Sequence, residues 1–116
     1  MNRLEKAIED FSNDESTEGL GARIEEIRNA IMWQNLDYMK RSVKGKPVSE
    51  EDQEKLDNIQ KWFSGIEKLY ANGRKMSKLK GESINKMDID FLDEIKKMKN
   101  AAGEVVRQTG DNGVEE

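Results

Sequence analysis

The fold of this chain is decided by residues 20–72, which read LGARIEEIRNAIMWQNLDYMKRSV (20–43), KGKPVS (44–49) and EEDQEKLDNIQKWFSGIEKLYAN (50–72). In the first and third parts, apolar side chains recur every three or four residues, which is the period of an amphipathic α-helix. The middle part is short and carries glycine and proline, as turns do. Two helices of nearly equal length joined by a short turn predict an antiparallel helical hairpin.

The first helix of this hairpin carries two apolar stripes, one in each half. They consist of Leu20, Ile24, Ile27 and Ile31 in the N-terminal half, and of Met32, Leu36, Met39 and Val43 in the C-terminal half. At 3.6 residues per turn, the two stripes point about 120° apart. One neighbouring helix cannot cover both stripes. We therefore expect this helix to be central, with another helix or another subunit completing its second stripe.

The second helix of the hairpin has a start signal and a stop signal. Ser49 precedes three acidic residues, as a capping side chain does at a helix N-terminus. Asn72 and Gly73 accept the left-handed conformation that often ends a helix, and they predict an end at residue 72. Gly65 is expected on the polar side of this helix. The apolar side consists of Leu56, Ile59, Trp62, Phe63, Ile66, Leu69 and Tyr70.

A short amphipathic helix is predicted before the hairpin, over about residues 3–11. Its apolar face consists of Leu4, Ala7, Ile8 and Phe11. A polar loop follows, in which Ser16 and Thr17 are the candidate caps of the next helix. A helix of little more than two turns is marginal alone in water, so we expect it to dock on the rest of the chain.

A fourth helix is predicted over about residues 88–107, after a lysine-rich connector. We expect it to pack against the second stripe of the first hairpin helix, in the same chain or in another subunit. Residues 110–116 are polar and acidic, and they predict a disordered tail. The predicted fold class is therefore all-α, a small bundle or coiled-coil-like assembly within one helical domain of residues 1–109.

Composition narrows the chemistry that the chain can perform. It has no histidine and no cysteine, which removes histidine acid–base catalysis, Ser-His and Cys-His nucleophile pairs and the usual zinc sites. The acidic cluster in residues 88–94 lacks the ligand spacing of an EF-hand calcium loop. We therefore predict no catalytic, cofactor-binding or metal-binding residues.

Three features of the sequence indicate the cellular compartment in which we expect the protein. The lack of cysteine fits a reducing compartment, no apolar run approaches the length of a membrane span, and the N-terminus does not read as a signal peptide. We expect a protein of the cytoplasm, its own or that of a host cell, with no membrane partner.

Large apolar and aromatic side chains are candidates for a protein-binding surface as well as for the core. The candidates are Met32, Trp33, Leu36, Met39, Trp62 and Tyr70. A small chain with a two-sided central helix has few elements to cover them all, and exposed Trp, Tyr and Met are typical of protein interfaces. The preferred hypothesis is a non-enzymatic helical protein that forms homo-oligomers and binds or bridges a protein partner. Small charge-rich chains of this kind also suit accessory or structural proteins of viruses and mobile elements.

An alternative function is nucleic-acid binding through two basic clusters, for example in viral DNA packaging or replication. The clusters are Lys40, Arg41, Lys44 and Lys46 near the turn, and Arg74, Lys75, Lys78 and Lys80 after the second hairpin helix. Each could contact phosphates, although the net charge of −4 gives the whole chain no general attraction to nucleic acid. The predicted second helix separates them by about 35 Å. One chain therefore offers two separate spots, which only an oligomer could align.

Overall fold

The computed structural model describes residues 2–14, 19–81 and 89–107, and in the last helix it describes side chains at positions 91–101. All the secondary-structure elements among these residues are helices, which confirms the all-α prediction. The helices are α1 (Arg3–Asn13), α2 (Leu20–Val43), α3 (Glu50–Leu79) and α4 (Ile89–Arg107). α2 has the predicted bounds and α4 has the predicted end, while the predicted start of α4 at residue 88 lies outside the described residues. The predicted caps at positions 16 and 17 and the predicted tail lie outside the described residues.

The turn between α2 and α3 is built by hydrogen bonds that end one helix and start the next. Gly45 has a φ of 79°, a left-handed conformation that glycine adopts without steric cost. Its N–H donates to the Ser42 carbonyl at 3.0 Å, and the Lys46 N–H donates to the Arg41 carbonyl at 2.9 Å, which is the Schellman pattern. The Ser49 hydroxyl then accepts the Asp52 N–H at 3.2 Å and caps α3 as predicted.

α2 and α3 form the predicted antiparallel hairpin. Their backbones come close at few positions, and contacts between side chains join the two helices. Arg28 Nε on α2 lies 2.6 Å from Glu67 Oε2 on α3, at similar distances from the turn along the two helices. Further from the turn, a Cβ atom at Gly21 would lie only 2.6 Å from the Tyr70 hydroxyl oxygen. Glycine at position 21 therefore leaves the room that this tyrosine needs.

α3 is longer than predicted, because it continues through Gly73 to Leu79. The predicted stop at residue 72 is wrong. Gly73 is buried, and burial of this face outweighs the roughly 1 kcal/mol that glycine costs inside a helix. The helix ends instead before Gly81, whose φ is 77° and whose N–H donates to the Lys78 carbonyl at 3.1 Å.

α4 packs against α3 and α1, and within the described residues it does not lie against α2. The prediction that α4 covers the second stripe of α2 in its own chain is therefore wrong. α3 offers α4 a wider apolar surface: Ile95 is fully buried, and Trp62 Nε1 donates to the Met98 carbonyl at 2.9 Å. Gly65 also faces α4 and not the polar side as predicted, since a Cβ there would lie 2.9 Å from Met98 Cε.

α1 docks on α2 and α4 and closes the core. Its start is fixed by a reciprocal capping box, in which the Asn2 side chain accepts the Glu5 N–H at 2.8 Å and Glu5 Oε1 accepts the Asn2 N–H at 3.3 Å. The helix runs two residues beyond its predicted end, to Asn13. Phe11 has no exposed surface and meets Trp62 edge to face, with ring centroids 6.0 Å apart. The core thus lies between α1, α3, α4 and the N-terminal half of α2.

Candidate protein-binding surface

One apolar stripe of α2 is buried and the other is exposed. Leu20, Ile24, Ile27 and Ile31 are at most 7% exposed. Five residues of the C-terminal half, here named the distal stripe, face solvent instead. Their exposed fractions are 61% for Met32, 59% for Trp33, 41% for Leu36, 65% for Met39 and 88% for Val43. They account for five of the seven exposed large hydrophobic residues in the described part of the chain.

The distal stripe is exposed because α1 packs along the side of α2 that carries the first stripe, and the distal stripe points about 120° away from it. The 11 residues of α1 span about 16 Å, against about 36 Å for the 24 residues of α2. Arg3 pairs with Glu26 at 3.0 Å, and Arg23 pairs with Asp14 at 3.0 Å. These two ion pairs hold α1 antiparallel to α2 on the side of the buried stripe, so α1 leaves the distal stripe open.

Another side of the same half of α2 faces a cleft within the chain. The cleft encloses about 320 Å³ between the first turns of α1 and α3 and the C-terminal half of α2. Lys55 on α3 donates to Glu5 on α1 at 3.3 Å across it. Burial raises the pKa of Tyr38 on α2, and the nearby Asp52 carboxylate adds to that rise. The distal half of α2 is therefore held by its own chain on one side, while the distal stripe faces solvent on another.

Two of the predicted partner-binding residues lie away from the distal stripe. Trp62 is only 8% exposed and belongs to the core. Tyr70 is partly buried beside α2, and the Arg74 guanidinium lies 5.5 Å from its ring centroid. The other four predicted residues are all in the distal stripe. Val43, which the sequence placed in the second stripe but not among the candidates, is the most exposed member of the group.

The two basic clusters lie at opposite ends of α3. The turn cluster, Lys40, Arg41, Lys44 and Lys46, is exposed around the turn before α3. The other cluster lies in the last turns of α3 and at its C-cap, and consists of Arg74, Lys75, Lys78 and Lys80. Along α3, Arg74 lies about 36 Å and Lys80 about 45 Å from the start of the helix, so the two clusters are separated by at least the predicted 35 Å. Arg41 also pairs with Asp37 at 3.0 Å, which offsets part of the charge of the turn cluster. Within the described residues, the two clusters of one chain do not form a continuous basic surface.

Sequence reasoning missed the cleft and the Glu5–Lys55 pair, because three helices must be placed before either becomes visible.

Among the described residues, no group of three or more potential ligand side chains is placed to hold a metal ion. No described helix is long and apolar enough to span a bilayer. Comparison with protein-family models, curated proteins and solved structures finds no match for this chain. The distal stripe is the candidate site, because it holds five of the seven exposed large hydrophobic residues in the described part of the chain.

Proposed function

We propose that this chain is a non-enzymatic helical interaction protein that binds a partner helix through the distal stripe. The observation that supports the proposal is the exposure of five large apolar side chains on α2, within residues 32–43. Contiguous exposed apolar surface is uncommon on monomeric proteins and marks interaction sites. Methionine and tryptophan, which supply three of the five side chains, are enriched in protein interfaces.

The spacing of the distal stripe fits recognition by another helix. Counted from Met32, its members on the common face follow at i+4, i+7 and i+11, which spans about three turns or 17 Å. A partner helix with a similar repeat can insert its apolar side chains between those of the stripe, as helices do in coiled coils and in helix-binding grooves. Trp33 lies at the edge of the stripe and would supply its largest single contact.

The distal stripe is held in position before any partner arrives. Ile27 is fully buried and anchors the N-terminal half of α2, and the Schellman hydrogen bonds around Gly45 close its C-terminal end. Between them, Tyr38 packs against the core on a different side of the helix from the stripe. A preorganised helix loses little conformational freedom on binding, so more of the apolar contact energy contributes to affinity.

Composition and charge placement favour this role over catalysis or nucleic-acid binding. Without histidine or cysteine, the chain lacks the side chains that most readily exchange protons near neutral pH or form thiolates. The separation of the basic clusters by about 36–45 Å along α3 leaves each as a small site. The small, charge-rich chain suits an accessory or structural subunit, for example of a virus or mobile element. Its lack of cysteine suits the cytoplasm.

Site-specific photo-crosslinking tests the proposal. Benzoylphenylalanine replaces Trp33 in the full chain, and a matched variant carries it at Leu79, which is 72% exposed at the end of α3. Irradiation in cells that express the chain, followed by mass-spectrometric mapping, should give adducts to a helical protein segment from position 33 and few from position 79. Those adducts should disappear when Leu36→Asp is added. Equal labelling from both positions, or no protein adduct from position 33, refutes the proposal.

A further inference from the structure

We infer that the helix bound by the distal stripe is the same stripe of a second copy of this chain, packed antiparallel across a two-fold axis. The inference rests on the proposed function, because it names the partner of that same surface. Three properties of the distal stripe support it: its spacing, its area and the charges at its two ends.

The spacing of the distal stripe reads the same in both directions. Met32, Leu36, Met39 and Val43, which share one face, are separated by four, three and four positions. An antiparallel second copy therefore places Met32 opposite Val43 and Leu36 opposite Met39, and symmetry repeats both contacts. Such self-complementarity is what an isologous two-fold interface requires. A partner of different sequence would not require this symmetry.

The area of the distal stripe is sufficient for a specific dimer. If a large apolar or aromatic side chain has about 200 Å² of surface, the exposed fractions of these five residues amount to roughly 600 Å² per chain. Two copies would bury about 1,200 Å² in total, which is the lower end of the range for specific interfaces. Polar side chains that border the stripe would add to this area.

The charges at the ends of the distal stripe select the antiparallel arrangement. A parallel pair would place the turn clusters of both chains side by side, where like charges repel. In the antiparallel pair, each turn cluster meets the other end of the partner's stripe. There Glu25 is exposed on the same side of α2, two turns before Met32, within reach of the partner's Lys46. The same register brings Lys40 beside the partner's Trp33, where an ammonium group can lie over the indole ring.

Analytical ultracentrifugation of the full chain tests the dimer. The wild type, 13.3 kDa as a monomer, should sediment with twice that mass over a concentration series. Leu36→Asp should raise the dimer dissociation constant by at least about 100-fold, because the charge enters the centre of the interface twice. Leu79→Asp, at an exposed leucine outside the stripe, should leave it unchanged. A wild type that stays monomeric, or a Leu36→Asp dimer as tight as the wild type, overturns the inference.

Disulfide crosslinking tests the register without depending on how a charged variant folds, since the chain has no cysteine of its own. Chains carrying Met32→Cys are mixed with chains carrying Val43→Cys under mild oxidation. The antiparallel register brings these two positions together, so disulfides between the two variants should form at least about ten-fold faster than disulfides within either one. Faster disulfides within each variant would indicate a parallel pair and overturn the inference.

These measurements also separate the inference from the proposed function. The self-pairing is overturned if the wild type is monomeric, the two cysteine variants form no disulfide with each other, and position 33 crosslinks to a different protein. That combination of results leaves the proposed function standing. No protein crosslink from position 33, together with a monomeric wild type, overturns both.

Discussion

Replacing Ile66 with alanine should remove about 3–4 kcal/mol from the free energy of unfolding. Ile66 lies on α3 and has no exposed surface, so the truncation leaves a cavity in the core. Three carbon atoms are lost, which at about 0.8 kcal/mol per buried methylene is about 2.4 kcal/mol of transfer free energy. The cavity that the neighbours cannot fill accounts for the remainder.

The loss at Ile66 is smaller than the stability expected of the whole chain. A domain of 116 residues is typically stable by about 6–17 kcal/mol. The variant should therefore still fold, with a lower midpoint and an unchanged slope in urea denaturation followed by far-UV circular dichroism. Wild type and variant are compared at one protein concentration, because self-association would shift the midpoints.

The matched control for Ile66 is Leu79→Ala on the same helix. Leu79 is 72% exposed, so its truncation should change the free energy of unfolding by no more than about 0.5 kcal/mol. Similar losses at the two positions, or a loss below about 1 kcal/mol at Ile66, would refute the assignment of the buried face of α3.

Three further predictions concern charges and a helix end. Partial burial raises the pKa of Glu5, but a backbone N–H and the Lys55 ammonium outweigh it, so its pKa lies below the ordinary 4.5. The wild type should therefore be more stable than Glu5→Gln above pH 4.5, and thermal melts should show this advantage vanish as pH falls through the lowered pKa. Lys44→Glu with Lys46→Glu should move the melting temperature by less than about 2 °C, because both are exposed; a larger drop would reveal a structural role. Gly81→Ala should lower the urea-derived stability by about 1 kcal/mol, because position 81 has a φ of 77°, and an unchanged value would contradict that conformation.

The faces of α2 could be predicted from the sequence because helical periodicity alone sets the direction of each side chain. Ile27 and Met39 point in different directions whatever their neighbours are, and the structure buries the first and exposes the second. The neighbours themselves could not be predicted. Which stripe stays open depends on where α1 and α4 dock, and many helix pairs share the same apolar pattern.

The ends of the helices show what local signals can and cannot decide. Gly73 and Gly81 are equally good stop signals, and only burial of the first within α3 distinguishes them. By contrast, the capping box formed by Asn2 and Glu5 follows a recognisable local spacing that could have been identified from the sequence. The sequence could not decide whether Trp62 belongs to the core or to a binding surface, since a wide apolar face on a helix suits a core and an interface equally well.

The contact between α1 and α4 sets the order in which the chain can finish folding on the ribosome. Lys99 donates to the Asp14 carbonyl at 2.7 Å across 85 positions of sequence, and its ammonium lies 4.9 Å from the Phe11 ring centroid. At about 5–20 residues per second, α4 is synthesised roughly 4–17 s after α1. During that interval, the face of α1 that α4 later covers stays open to nascent-chain chaperones. Of the four helices, α1 is therefore synthesised before the others yet is among the last to be completed.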